Sequence, residues 1–247
     1  MTRLLVSVRS VAEALLAADG GADFIDLKEP GQGALGGLPV YTIAEVVAAL
    51  RSRSLSLPVS ATIGDVAMHE LDTIVERVEA VGACGVDYVK VGIERAPGAG
   101  AVLRALADCG RPLVPVFIAD HGLDERSIAL ALSLHFPGVM VDTADKLAGS
   151  LFDVLPIAAI ERFIGMAREA GTMVGIAGAL RRADAEVITA LAPDFAGFRS
   201  AVCRGGRGEA LDADCLRALV AAMREAQAPL SRTSPISSDL MRASSAR

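Results

Sequence analysis

The chain has 247 residues, of which 52% are hydrophobic, and its net charge at pH 7 is −6. That length suits one large domain with a sizeable core, and no stretch approaches the ~20 uninterrupted apolar residues of a membrane-spanning helix. The acidic balance and the lack of a basic tract argue against nucleic acid or an anionic membrane as a partner, although a local cluster of cations is enough to bind a small anion.

The cysteines and the amino-terminal segment bear on the compartment. Cys84, Cys109, Cys203 and Cys215 show neither paired metal-ligand spacing nor the density of a disulfide framework, so we interpret them as reduced thiols. The first apolar run contains charged residues and leads directly into a strand–helix pattern, which indicates folded structure and not a signal peptide. We therefore expect a cytoplasmic protein.

Apolar β-type runs alternate with Ala- and Leu-rich segments of helical spacing along the whole chain. In chain order the predicted strands are RLLVSV, DFIDLK, PVSATIGD, DYVKVGI, PLVPVFIAD, GVMVDTA, MVGIAGA and FAGFRSAV. Near-continuous hydrophobic strands indicate a parallel sheet that is buried on both faces. Eight of them predict a single (β/α)8 TIM barrel over residues 1–228. An open doubly wound sheet is the alternative, but the turn after the first strand lacks its usual glycines.

The composition changes after the last predicted helix. Residues 229–247 are rich in Ser, Arg and Pro and have no periodic apolar side. Such a segment cannot bury enough apolar surface to order itself. The sequence therefore predicts a flexible carboxyl-terminal tail.

Polar or charged residues stand at the end of nearly every predicted strand, where barrel enzymes place their active sites. With the Gly178 turn, they are Ser7, Asp26, Lys28, Ser60, Thr62, Asp65, Lys90, Asp120, Asp142, Lys146 and Arg199. A full ring of such residues is not typical of a hydrophobic core. The pattern predicts a polar active site at this end of the barrel.

Lysine is rare in the chain, and Lys28, Lys90 and Lys146 are the three that it contains. A lysine amine can lose its proton and attack a carbonyl group to form a Schiff base, whereas an arginine cannot readily do so. The alternative is that each lysine pairs with a neighbouring acid such as Asp26 or Asp87. Three lysines at strand ends favour the catalytic interpretation.

Carboxylates precede two of these lysines. Asp26 and Lys28 are two residues apart in a strand and share a face, and Asp142 lies four residues before Lys146. Such a carboxylate can orient the amine and move protons, although a structural ion pair is the alternative. For Asp65 and Asp120, helix capping or loop anchoring is an equally good interpretation.

The loops after the last two strands are candidates for binding phosphate, as in many barrel enzymes. The expected substrate and phosphate ligands are Ser7, Ser60, Gly178, Arg199, Ser200, Gly205 and Gly206. The alternative for the RGGRG segment is a flexible basic turn. The three histidines have no metal-site spacing, so no metal is expected, and His121 is the one placed near the pocket.

Six segments together resemble one enzyme family, (5-formylfuran-3-yl)methyl phosphate synthase, also called 4-(hydroxymethyl)-2-furancarboxaldehyde-phosphate synthase. They are GGADFIDLKEPGQGALG, VSATIGD, GVDYVKVGI, MVDTADKLAGSLFD, GIAGAL and GFRSAVCRGGR. The resemblance runs from the first strand to about residue 225 and keeps the order of the segments. The segment FIADHGLDERS is less similar, which leaves the roles of Asp120 and His121 open.

The resemblance implies a TIM-barrel lyase that condenses two molecules of glyceraldehyde 3-phosphate, with loss of one phosphate and two waters, for the biosynthesis of methanofuran or an analogue. It implies that Lys28 forms the Schiff base and that Lys90 accepts a proton. It further implies active-site positions at Asp26, Asp142 and Lys146. The implied reaction involves no redox change, so no cofactor is expected.

Two rival functions remain open at this level. A class I aldolase-like enzyme acting on another sugar phosphate would also use a strand-end lysine, but it would release no inorganic phosphate. A non-catalytic barrel that binds a phosphorylated metabolite would use the lysines only to hold an anion. The Ala- and Leu-rich helices also lead us to expect a homo-oligomer.

Overall fold

A computed structural model describes residues 1–228, and the predicted tail lies outside the described residues. Eight parallel strands close into a barrel in chain order, with the last strand pairing back onto the first. The strands are β1 Arg3–Val8, β2 Phe24–Leu27, β3 Val59–Thr62, β4 Tyr88–Ile93, β5 Leu113–Ile118, β6 Gly138–Asp142, β7 Met173–Ile176 and β8 Phe195–Phe198. The predicted TIM barrel is confirmed.

Helices connect the strands on the outside of the barrel. They are α1 Val11–Asp19, α2 Val40–Ser52, α3 Leu71–Gly82, α4 Ala99–Asp108, α5 Glu125–Ser133, α6 Leu151–Val154, α7 Ile157–Glu169, α8 Ala185–Leu191 and α9 Ala213–Gln227, with short 3-10 helices at Pro30–Gln32, Arg182–Asp184 and Ser200–Val202. Local signals set several boundaries. The carboxylates of Asp124 and Asp212 accept backbone N–H groups at the starts of α5 and α9, as N-capping residues do.

The strands place alternate residues inside and outside the barrel, because successive side chains in a strand point to opposite faces. Outward-pointing side chains pack against the helices and form the larger core. Inward-pointing side chains form a second, smaller cluster that includes Leu5, Phe24 and Met140. Two residues further along the same strands, and therefore on the same inward face, stand Ser7, Asp26 and Asp142. The interior thus changes from apolar to polar towards the carboxyl ends of the strands.

Aromatic rings fill part of the apolar interior. The rings of Phe24 and Phe195 have centroids 5.5 Å apart, and the guanidinium of Arg3 lies 4.5 Å from the centroid of the Phe24 ring. Gly175 in β7 makes room for this packing, since a Cβ atom there would lie 2.1 Å from the Phe195 ring. Among the helices of residues 1–228, none is long and apolar enough to cross a membrane.

Candidate active site

Asp26 is the centre of a buried polar network at the end of β2. Its Oδ1 accepts hydrogen bonds from Lys90 Nζ at 2.9 Å and Ser60 Oγ at 2.7 Å. Its Oδ2 accepts one from Ser7 Oγ at 3.0 Å. All four side chains are buried. The carboxylate is therefore held by strands on both sides of β2 and by the lysine of β4.

Asp142 is the centre of a second network at the end of β6. Its Oδ1 accepts hydrogen bonds from Lys146 Nζ and, at 2.8 Å, from the backbone N–H of Thr143. Its Oδ2 lies 3.7 Å from Lys28 Nζ, an ion pair beyond hydrogen-bond distance. Among residues 1–228, Lys28 Nζ has no hydrogen-bond acceptor. Lys28 is therefore the lysine whose amine is least engaged by the protein.

The pairing of lysines with aspartates differs from the order along the chain. Asp26 and Lys28 are close in sequence, yet Asp26 binds Lys90 and Lys28 faces Asp142. Asp87 stands at the opposite end of β4, where it accepts a hydrogen bond from Arg51. The alternative in which Lys90 pairs with Asp87 is therefore wrong.

Burial and charge lower the pKa of two of the lysines. Burial is the main cause for Lys90, and the nearby charge of Lys28 adds to it, while Asp26 opposes the change. The pKa of Lys146 is lowered for the same reasons, with Asp142 opposing. A lowered pKa brings an amine closer to losing its proton at neutral pH. Burial in the cluster thus makes deprotonation of Lys90 and Lys146 easier, while the aspartates oppose it.

The two aspartates are held ionised. Burial by itself raises the pKa of a carboxyl group, and it does so for both Asp26 and Asp142. The charges of Lys90 and Lys28 outweigh burial at Asp26, and those of Lys146 and Lys28 outweigh it at Asp142, so both pKa values are lowered. Each carboxylate is therefore available as a proton acceptor beside a lysine.

Arg199 has a different role from the expected contact with phosphate. Its Nη1 and Nη2 donate to the two oxygens of Glu13 at 2.6 and 3.2 Å. The remaining N–H groups donate to the carbonyl oxygens of Ser7, Arg207 and Glu209 at 3.1, 2.9 and 2.5 Å. All five N–H groups are engaged, so none is left for a phosphate oxygen. The prediction for Arg199 is wrong because this guanidinium anchors the loop after β8 to α1.

The predicted phosphate ligands Ser7 and Ser60 are also engaged, since their hydroxyl groups donate to Asp26. Gly178 is buried with a φ of 114°, and a Cβ atom there would lie 3.1 Å from Thr143. Ser200 begins the 3-10 helix after β8 and is half-buried. These four residues lie at the mouth of the barrel.

Gly205 and Gly206 lie in the loop that joins β8 to α9. Gly205 is exposed and Gly206 half-buried. Their backbone N–H groups have no acceptor among residues 1–228. Both therefore remain candidates for binding phosphate.

The acids whose roles were open anchor loops. Asp120 accepts the backbone N–H groups of Ala144 and Asp145 at 2.5 and 2.8 Å, and Asp65 accepts that of Leu35 at 3.2 Å. His121 is exposed. In the part of the chain that the structure describes, no three His, Cys, Asp or Glu side chains form a metal-binding group.

Sequence reasoning missed two residues that shape the site. Glu13 lies in α1, where an acid in the first turn of an amphipathic helix is normally solvated, so nothing local indicates its burial against Arg199. Arg207 was visible only as part of the basic turn RGGRG. Its Nη2 donates to the carbonyl oxygen of Gly33 at 2.9 Å, which places the guanidinium at the mouth of the barrel.

Comparison with known proteins agrees with this architecture. The sequence model of the family described as 4-HFC-P synthase matches residues 4–220. The (5-formylfuran-3-yl)methyl phosphate synthase of Archaeoglobus fulgidus is 35% identical over 91% of this chain and 98% of its own. The protein of the same name from Methanopyrus kandleri is 34% identical over 83% of this chain and 90% of its own.

Solved structures support the fold. Phosphoribosyl anthranilate isomerase from Thermus thermophilus superimposes with a TM-score of 0.64 over 91% of this chain and 99% of that one. Its sequence identity is 17%, so the likeness concerns the barrel and not the chemistry.

Proposed function

The chain belongs to the 4-HFC-P synthase family, and from that premise we propose that it condenses two molecules of glyceraldehyde 3-phosphate into (5-formylfuran-3-yl)methyl phosphate, for the biosynthesis of methanofuran or an analogue. The balance requires loss of one inorganic phosphate and two waters, while the second phosphate stays on the product. No oxidant or reductant enters this balance. The enzyme would accordingly be a carbon–oxygen lyase.

The observation that carries the proposal is the unequal engagement of the three lysines. Lys90 and Lys146 donate hydrogen bonds to Asp26 and Asp142, whereas Lys28 Nζ is 3.7 Å from the nearest carboxylate oxygen. A nucleophilic amine needs a free lone pair and access to the carbonyl carbon. We therefore assign the Schiff base to Lys28.

The iminium on Lys28 would acidify the C–H bond next to the former carbonyl carbon. Removal of that proton gives an enamine, whose carbon attacks the aldehyde of the second triose and forms the new C–C bond. Lys90, whose pKa is lowered by burial, would take the proton once its amine has lost its own. Asp142 and Lys146 would carry protons in the eliminations of water and phosphate.

The test combines trapping with product analysis. Full-length protein is incubated with glyceraldehyde 3-phosphate and borohydride, and peptides are mapped by mass spectrometry while phosphate release and furan absorbance are followed. We expect a reduced triose adduct on Lys28 together with furan. Lys28→Arg should abolish both, because a guanidinium does not become a nucleophile at neutral pH.

Lys90→Arg is the matched control, because it keeps a positive charge beside Asp26 and leaves Lys28 in place. We expect it to retain the Lys28 adduct and to lose furan formation. An adduct on another lysine would overturn the assignment of Lys28. Adduct without furan or phosphate would indicate an aldolase, and the absence of adduct and turnover would indicate a binding protein.

A further inference from the structure

Arg207 is a cation at the barrel mouth that the proposed covalent chemistry does not use. Its side chain is half-buried, and its Nη2 donates to the carbonyl oxygen of Gly33. Among residues 1–228 this is the single hydrogen bond that its guanidinium makes. The remaining N–H groups are therefore available to another acceptor.

The position of this guanidinium follows from the order of the strands. Arg207 belongs to the loop after β8 and Gly33 to the loop after β2, and β1 lies between those two strands. The side chain thus joins the loop after β8 to the loop after β2, on the side of the barrel where β1 ends. The charge of Asp142 opposes the lowering of the pKa of Arg207 by burial, and the charge of Arg207 in turn lowers the pKa of Lys146.

The backbone that carries Arg207 is fixed by buried groups. Arg199 donates to the carbonyl oxygens of Arg207 and Glu209, and Glu13 accepts the N–H of Leu211 at 3.1 Å. The base of the loop is therefore anchored to α1 and β8, while the Arg207 side chain is held by one contact at the surface. An anchored backbone with a replaceable side-chain contact suits a ligand-binding arginine.

The guanidinium of Arg207 lies among charged groups and free donors at the mouth. Burial and the charge of Arg199 lower its pKa, while the carboxylates of Asp142, Asp65 and Glu29 raise it. Gly205 and Gly206 add backbone N–H groups without acceptors among residues 1–228, and such groups bind phosphate oxygens well.

We propose that Arg207 binds the phosphate group of a triose phosphate substrate and exchanges the carbonyl oxygen of Gly33 for phosphate oxygens. The planar guanidinium can donate two parallel hydrogen bonds to one phosphate group. The choice of a triose phosphate rests on the proposed function, while the recognition of phosphate does not. Arg207 thereby takes the role that the sequence suggested for Arg199.

The test measures binding and needs no turnover. Glycerol 3-phosphate, an unreactive analogue, is titrated by calorimetry into full-length wild type, Arg207→Met and Arg207→Lys. We expect the dissociation constant to rise about tenfold to hundredfold in Arg207→Met, as for loss of a charged hydrogen bond. The dissociation constant of Arg207→Lys should lie between those of wild type and Arg207→Met, because an ammonium group keeps the charge but lacks the paired donors.

Arg204→Met is the matched control from the same loop. Arg204 is exposed and pairs with Asp212 and Asp214 at the surface, so its loss should change the dissociation constant less than about twofold. If Arg204→Met and Arg207→Met weaken binding equally, the effect comes from the general positive charge of the loop, which would overturn the proposal. An unchanged constant in Arg207→Met would do the same.

A folding failure and a failure of the proposed reaction can both be told apart from a failure of this proposal. If Arg207→Met fails to fold by circular dichroism, Arg207→Lys decides, and a wild-type constant there overturns the proposal. If wild type binds glycerol 3-phosphate through Arg207 yet makes no furan, the proposed reaction fails while the assignment of Arg207 stands.

Discussion

At the scale of single residues, Lys90 is the proposed proton acceptor. Its pKa is lowered chiefly by burial, and the carboxylate of Asp26 partly opposes this by favouring the charged amine. A base must be neutral to accept a proton, so activity should rise with pH through the pKa of Lys90. In wild type that rise should be centred below the ordinary lysine value of about 10.4.

Asp26→Asn should move the rise to lower pH. The substitution removes the negative charge that holds the pKa of Lys90 up, so the amine loses its proton more easily. The rate itself should also fall, by about a hundredfold, through loss of a proton-handling group. The measurement is the pH profile of kcat/KM for furan formation. Ser7→Ala, which removes a hydroxyl group but no charge, should leave the midpoint in place, and a shift to higher pH in Asp26→Asn would contradict the assignment.

At the scale of elements, the loop between β6 and α6 carries a proposed catalytic group and is held by hydrogen bonds to the loop after β5. Lys146 lies in this loop, and the carboxylate of Asp120 after β5 accepts the N–H groups of Ala144 and Asp145. Within the loop, Asp145 Oδ1 accepts the N–H of Leu147 at 2.8 Å. The geometry of the loop around Lys146 therefore depends on the neighbouring strand.

Asp120→Ala should release this loop and lower kcat about tenfold to hundredfold, since small displacements of catalytic groups are costly. Asp120→Asn should recover part of the loss, because its amide oxygen still accepts one N–H. Hydrogen exchange over residues 143–150 should increase in parallel. Asp124→Ala, which removes the N-cap of α5, should cost about 1 kcal/mol of stability without lowering kcat. Equal loss of kcat in both alanine variants would contradict the claim that the hydrogen bonds of Asp120 position the loop around Lys146.

At the scale of the whole molecule, the packing inside the barrel includes a glycine that leaves room for an aromatic ring. Gly175 lies against the Phe195 ring, so Gly175→Ala should destabilise the protein by about 1–3 kcal/mol through overpacking. Gly165 in α7 has no atom within 4 Å of an added Cβ. Gly165→Ala should instead stabilise by about 0.8–1 kcal/mol through helix propensity. Urea unfolding gives the free energy of unfolding of both variants. Equal changes in this free energy would show that backbone entropy, and not packing against Phe195, sets the effect of alanine at both positions.

The barrel could be predicted from the sequence because its signals are local. Eight apolar runs and the helical spacing between them lie within short windows, and all eight strands occur where they were expected. The pairing inside the site could not be predicted in the same way. Asp26 and Lys90 are in β2 and β4, with β3 between them, and they meet only when the closed barrel turns their inward faces towards one another. The error at Arg199 has the same origin, because its partner Glu13 is 186 residues away.

The placement of the lysines has a practical consequence for the chemistry of the protein in solution. The chain has three lysines, and their side chains are 4–9% exposed at the barrel mouth. Apart from the α-amino group, amine-directed acylating reagents therefore find their targets inside the candidate active site and not on the outer helices. Binding of a ligand can therefore be measured as protection of these lysines from labelling. This is useful because the protein has no tryptophan whose fluorescence could report binding.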